Sequence, residues 1–94
     1  MANVNGSGFK RWDTTTGAAF DGTNGPRDPL VTQIRFEVGA TGGVTTLQVD
    51  GKTYFSWTIP GDAVMTLDYA GGQHMKGLAC TALGTNTIVV VHYA

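Results

Sequence analysis

Hydrophobic and polar residues alternate along the chain from Leu30 to Tyr93. The period is two, which is the period of a β-strand whose two faces meet different surroundings. The clearest run covers residues 30–38, where Ile34, Phe36 and Val38 alternate with polar neighbours. This pattern predicts a half-buried strand, and no segment shows the 3.6-residue period of an amphipathic helix.

Turn-forming residues divide the rest of the chain into short strands. Asp50-Gly51 separates the alternating runs 44–49 and 52–59, and Asp-Gly in such a place is a strong hairpin signal. In the second run, alternation predicts that Phe55, Trp57 and Ile59 face inward. Further turn signals occur at Ala40–Gly43, Pro60–Asp62, Ala70–Gln73 and Gly84–Asn86.

These breaks predict additional strands over residues 63–69, 75–83 and 87–93. The last run is so rich in β-branched residues that we expect both of its faces to be covered, as in a central strand or in one between subunits. Short strands separated by glycine-rich turns are typical of all-β folds. The sequence therefore predicts a small antiparallel β-sandwich or jelly-roll-like barrel over residues 30–94.

Residues 1–29 differ from this domain, because glycine, threonine and proline interrupt them and disfavour regular structure. They predict an extended N-terminal arm, in which only residues 8–13 could form a short strand. At about 3.3 Å per residue the arm could reach another subunit. The alternative is that it folds back over its own sandwich. Its candidate partner-binding anchors are Phe9, Arg11 and Trp12.

The composition favours contacts with other protein chains. The chain has 94 residues, enough for one domain, and a core built from residues 30–94 alone would be marginal in size. Neighbouring subunits or a supporting surface would complete its burial, so we expect a homo-oligomer. A net charge of −1 with 14% charged residues gives no basic patch for nucleic acid.

The sequence predicts neither a secreted nor a membrane protein. The amino terminus has neither a basic start nor an apolar stretch, so we expect no signal peptide and folding in a cytoplasm. No segment approaches the roughly 20 apolar residues that span a bilayer. The one cysteine, Cys80, lies in an apolar run and is expected to be buried.

Acid, base and metal-binding groups are few: six aspartates, one glutamate, two histidines and Cys80. Most aspartates lie in or beside turns, where they bond to nearby backbone. His74 and His92 lack the partners of a nucleophilic or metal site, and the segment 21–25 lacks the acidic pattern of a calcium loop. We therefore expect no enzyme and no catalytic, cofactor-binding or metal-binding residues.

Exposed aromatic rings offer a different function. Two or three rings on one face could form a platform for a sugar, and Tyr54 with Trp12 is the candidate pair. Burial in a core or at a subunit contact explains most of the aromatic residues. A carbohydrate-binding β-sandwich module is accordingly kept as an alternative.

Residues 38–93 resemble the small β-sandwich virion proteins of tailed bacteriophages, of the capsid decoration or cement type. The features that carry the resemblance are the turns Gly42-Gly43, Asp50-Gly51, Pro60-Gly61 and Gly71-Gly72, the segment Met75–Leu78, and the closing run Ile88–Tyr93. The resemblance implies a structural protein of the virion without enzymatic activity. Its partner would be the major capsid protein, and trimers or dimers, with the trimer favoured, would pin capsid subunits through the arm. A tail, neck or head-fibre component is the alternative within this class.

Overall fold

The computed structural model describes residues 4–5, 8–13, 19–20, 22 and 26–94. These residues form an all-β protein in which every strand pairing is antiparallel, and no helix occurs among them. The strands are β1 (Val4–Asn5), β2 (Phe9–Trp12), β3 (Leu30–Val49), β4 (Lys52–Pro60), β5 (Val64–His74), β6 (Ala79–Ala82) and β7 (Thr85–Tyr93). The predicted all-β class and sandwich-like architecture are confirmed.

Strand β3 organises the whole sheet. On one edge it pairs with β4 through residues 42–49 and with β5 through residues 30–37. On the other edge it pairs with β6 through residues 46–48 and with β7 through residues 31–42. Strand β2 lies outside β7, and β1 lies outside β2.

This long strand bends so strongly that its two halves lie in different layers. The first layer contains the N-terminal half of β3 with β5, β7, β2 and β1, and the second contains the C-terminal half of β3 with β4 and β6. A straight strand of 20 residues would measure about 65 Å, twice the longest extent of the molecule, 32 Å. The two ends of β3 instead approach one short segment. Met75 N–H donates to the Pro29 carbonyl at 3.0 Å, and Asp50 N–H donates to the Lys76 carbonyl at 2.9 Å.

The bend occupies residues 39–43, called here the glycine bend. The sequence predicts a turn at this place, and that prediction is wrong because β3 runs through it without reversing. Strand β3 pairs with β7 on both sides of the bend, at Val38 and at Gly42, with a register shift between them. The strands that pair with β3 are interrupted there instead. The β4–β5 turn and the β6–β7 break both lie against the bend, where Asp62 N–H donates to the Gly39 carbonyl at 2.6 Å.

Glycine is required in the bend for two reasons. Gly42 has φ +79°, a conformation that L-residues rarely adopt. A Cβ at Gly42 would also lie 2.8 Å from the backbone nitrogen of Gly61. On the opposite side, a Cβ at Gly84 would lie 2.9 Å from the carbonyl oxygen of Gly43. Backbone therefore packs directly against backbone where β3 passes between the layers.

The hydrophobic core fills the space between the layers. Across it, the Phe36 and Phe55 rings stack with centroids 4.9 Å apart. The fully or almost fully buried apolar side chains are Trp12, Phe20, Val31, Ile34, Phe36, Leu47, Ile59, Met75, Leu78, Val89 and Val91. Two of them, Trp12 and Phe20, come from the segment predicted to be an arm. The described residues 9–12 and 20 thus fold back on the sandwich and complete its core.

The glycine pair Gly71-Gly72 also differs from its predicted role. Strand β5 continues through it. The register between β3 and β5 shifts between Val31 and Gln33, so that residues 69–72 of β5 lie opposite Thr32 alone and have no pairing partners. Both glycines have positive φ, which lets the strand accommodate the extra residues.

The predicted hairpin at Asp50-Gly51 is confirmed, with φ of +53° and +76° at these two residues.

Replacing Gly42 by alanine tests the glycine bend. The variant adds a backbone collision to an unfavourable φ and should lose about 3 kcal/mol of unfolding free energy. Gly51→Ala is the matched control, because Gly51 has φ +76° but nothing within 4 Å of its Cβ position. It should lose only about 1 kcal/mol. Urea denaturation measures both, and equal losses would contradict the close backbone packing.

Candidate functional site

The three predicted anchors lie on β2, and alternation separates them. Phe9 and Arg11 point to the outside of the first layer and are half-buried, whereas Lys10 and Trp12 point into the core. Trp12 has an exposed fraction of 0% and Lys10 of 1%. Trp12 therefore cannot serve as an exposed anchor in this conformation, and only two of the three predicted residues are available to a partner.

Trp12 takes part in an aromatic cluster. Its ring meets the edge of Phe20 at a centroid distance of 5.9 Å, and Phe20 meets Tyr93 at 5.3 Å. The Lys10 ammonium lies 4.9 Å from the Phe20 ring centroid and donates a hydrogen bond to the Ala19 carbonyl at 3.1 Å. A cation over an aromatic face attracts the ring, more strongly when water is excluded. Lys10 thus ties residues 19–20 to β2.

Phe9 and Arg11 belong to a larger surface formed by three neighbouring strands. Register places Phe9 opposite His92 and Arg11 opposite Val90 on β7, and these pair in turn with Gln33 and Arg35 on β3. We call this surface the outer face; it consists of Phe9, Arg11, Gln33, Arg35, Glu37, Ile88, Val90 and His92. Its centre is apolar, since Ile88 and Val90 are half-buried between charged or polar neighbours.

Each arginine of the outer face has an acidic neighbour. Arg35 Nη2 lies 2.9 Å from Glu37 Oε1, and Arg11 Nη1 lies 3.6 Å from Asp13 Oδ2. Exposed pairs such as Arg35–Glu37 contribute at most about 1 kcal/mol. The Arg35–Glu37 pair can therefore exchange partners at little cost when another protein approaches, whereas the Asp13 carboxyl of the other pair is buried. The surface can offer apolar contact together with both signs of charge.

The second layer exposes a tryptophan that the sequence predicts to be inward. Trp57 is 63% exposed, although Phe55 and Ile59 on either side are half-buried and buried. Strand β4 has β3 as its only partner within the described residues. Trp57 pairs with the buried Thr45 on β3, so alternation gives the predicted register but not the burial.

The predicted sugar platform of Tyr54 and Trp12 is not formed, because Trp12 is buried. Tyr54 is hydrogen-bonded instead to the Tyr69 hydroxyl on β5. The register shift after Leu47 leaves Tyr54 without a partner on β3, which turns its ring toward the other layer. Burial, followed by the contact with Tyr54, raises the pKa of Tyr69 well above its usual value. The two tyrosines therefore join the layers on the side of β4 and β5.

The remaining candidates for chemistry are scattered. His74 Nδ1 lies 3.5 Å from Asp28 Oδ1 on the surface, and the His92 ring is 6.5 Å from that of Phe9. Burial raises the pKa of the Cys80 thiol to about 11, and its Sγ lies 3.3 Å from the Ala82 carbonyl oxygen. In the part of the chain that the structure describes, no three His, Cys, Asp or Glu residues could hold a metal ion. The weak calcium candidate, residues 21–25, lies largely outside the described residues.

Similarity to known proteins assigns no function to these residues. No known protein family, curated protein or solved structure matches the chain. Among the described residues no helix is long and apolar enough to cross a membrane.

Sequence reasoning missed three residues that shape the site. Lys10 and Phe20 form the cluster that buries Trp12, and Trp57 is exposed. The alternation of Phe9, Lys10, Arg11 and Trp12 was a usable signal, because it places Lys10 and Trp12 on one face. Nothing in the local pattern identifies Phe20 as the ring that covers them.

The chain has two tryptophans, which allows a matched test of these positions. Trp12→Ala opens a cavity in the core and should lower the free energy of unfolding by about 3 to 5 kcal/mol. Trp57→Ala removes a mostly exposed ring and should cost about 1 kcal/mol or less. Urea denaturation at low protein concentration compares the two. An unchanged stability of Trp12→Ala would contradict the burial of this residue.

Proposed function

We propose that this protein has a structural, non-enzymatic function and docks through its outer face on a larger protein assembly. The observation that carries the proposal is the outer face itself, where Phe9 and Arg11 lie beside the half-buried Ile88 and Val90. Aromatic residues and arginine are enriched at protein interfaces. Two of the residues proposed as anchors from the sequence thus belong to a surface suited to this role.

The size of the molecule is compatible with such docking. A standard interface takes about 800 Å² from each partner. The accessible surface of the chain is 4923 Å², so such an interface would occupy about one sixth of it. One face of one layer is sufficient, and the rest of the molecule remains free for other contacts.

Following the resemblance of residues 38–93, the assembly we propose is the capsid of a tailed bacteriophage, with the major capsid protein as partner. A protein that binds the assembled shell but not its separated subunits stabilises the shell by mass action. Weak contacts that are linked by self-association of the decorating protein gain strength through avidity. The proposed location is the virion, and the resemblance favours a trimer.

A component of the tail, neck or head fibre would use the same kind of surface and remains the alternative within structural proteins. A carbohydrate-binding module is supported less well, because Trp12 is buried and Tyr54 is bonded to Tyr69. No observation on the described residues favours it over docking to protein.

Substitutions on the outer face test the proposal. Deleting residues 1–29 is unsuitable, because it would remove Trp12 and Phe20 from the core. Phe9→Ala and Arg11→Ala should instead keep the fold and weaken binding to purified phage capsids that lack this protein by about tenfold or more. Arg27→Ala is the control, since Arg27 is exposed and lies outside the outer face.

Co-sedimentation with the capsids measures binding, and thermal melts confirm that each variant is folded. Mass spectrometry should also find the protein in phage particles purified from its source. Its absence from such particles, or unchanged binding of both outer-face variants, would contradict the proposal. A specific signal on a glycan array that Tyr54→Ala abolishes would favour the carbohydrate-binding alternative.

A further inference from the structure

The N-terminal part of the chain is joined to the sandwich along the edge of β7. We call the described residues between 4 and 20 the clip. Strand β2 pairs with β7 through four residues of each strand, and Tyr93 N–H donates to the Gly8 carbonyl at 2.9 Å. Farther along the clip, Phe20 N–H donates to the Leu78 carbonyl at 2.8 Å. The clip is thus held by β7 and by the residue that precedes β6.

Other contacts lie inside the clip and do not involve the sandwich. The Lys10 ammonium donates to the Ala19 carbonyl and lies over the Phe20 ring, which also packs against Trp12. Strand β1 pairs with β2. A buried charge is costly when its partners are removed. Here two partners of Lys10 belong to the clip, so they remain with the ammonium when the clip moves as one body.

Residues 21–26 connect the clip to the rest of the chain and contain two glycines and a proline. Directly after them the chain is attached to the sandwich again, because Gly77 N–H donates to the Arg27 carbonyl at 2.8 Å. Six residues in an extended conformation span about 20 Å. The connection is therefore long enough to place the clip on the β7 edge of a second copy that lies directly beside the first.

We propose that the clip exchanges between copies of this chain, so that the clip of one copy lies on β7 of another. The structure itself identifies the segment that fits this place, because the clip occupies it on its own sandwich. In a closed set of exchanged copies, each contact within one chain is replaced by the same contact between two chains. Exchange of an identical element is a low-cost route to association for this reason.

The exchange builds each outer face from two chains. Phe9 and Arg11 lie on β2 and move with the clip, whereas Val90, His92 and Arg35 remain on their own sandwich. Each copy thus contributes two residues to the outer face of another. Copies linked in this way gain avidity when they dock side by side. The exchange itself does not depend on the proposed docking, and it is tested on the purified chain alone.

Cysteine pairs test the exchange directly. Arg11 faces Val90 across β2 and β7. Facing residues of an antiparallel pair have Cα atoms about 4.5 to 5.5 Å apart, a separation that a disulfide can bridge. Chains with Arg11→Cys and with Val90→Cys, both in a Cys80→Ala background, are purified separately, mixed and oxidised with oxidised glutathione. Intact mass spectrometry should then find a disulfide between the two different chains.

The matched control is a mixture of Arg11→Cys with Arg35→Cys. Arg35 faces Val90 from its other side, so it lies two strand spacings from Arg11, about 10 Å, which is too far for a disulfide within one sheet. Chance contacts between outer faces crosslink both mixtures alike. Exchange should therefore give about tenfold more mixed disulfide with Val90→Cys than with Arg35→Cys. Equal yields from the two mixtures would overturn the inference.

A chain that carries Arg11→Cys and Val90→Cys together, with Cys80→Ala, tests the consequence for association. Oxidation at low concentration closes the disulfide within one chain and fixes the clip on its own sandwich. Light scattering after gel filtration should give masses above 9.9 kDa for the reduced chain as its concentration rises, and the monomer mass for the oxidised chain throughout. Circular dichroism confirms that both forms are folded. A reduced chain that stays monomeric, or an oxidised chain that associates equally well, would contradict the exchange.

Discussion

The fold depends on the close approach of backbone to backbone at the glycine bend. Gly42 meets the backbone of residues 59–61 on one side of β3, and Gly43 meets Gly84 on the other. Because no Cβ intervenes, β3 can pass from one layer to the next and keep strand partners on both sides of the bend. The two halves of β3 then face each other, and their inward side chains form one core.

The bend of β3 leaves the core covered to different degrees on its two sides. On the side of β7, the segment that contains Lys10, Trp12 and Phe20 completes the core. On the side of β4 and β5, the layers are joined by Tyr54 and Tyr69, and Trp57 remains exposed. Among the described residues, the outer face of the first layer and the second edge of β4, along which no described strand lies, therefore differ in character.

The last strand is central, one of the two positions predicted for it, although its outer face is not covered as predicted. Alternation and turn chemistry were sufficient to predict the all-β class and the hairpin at Asp50-Gly51. They fail at Gly42-Gly43 and at Gly71-Gly72, because paired glycines permit a bend or a bulge as readily as a reversal of the chain. They also fail for the burial of Trp57, since burial depends on the opposing layer and not on the strand itself. For the candidate site, the roles of Phe9 and Arg11 stay predictions from the sequence, and the burial of Trp12 depends on Phe20, a contact that no local pattern contains.

The whole fold requires that the two halves of β3 face each other across one core. The most direct test is a nuclear Overhauser measurement between the ring protons of Phe36 and Phe55, whose centroids are 4.9 Å apart. These residues belong to different layers, and stacked layers should give clear cross-peaks between the two rings. If those cross-peaks were absent while the cross-peaks between Leu47 and Phe55, which pair within one layer, were present, the layers would not be stacked as described.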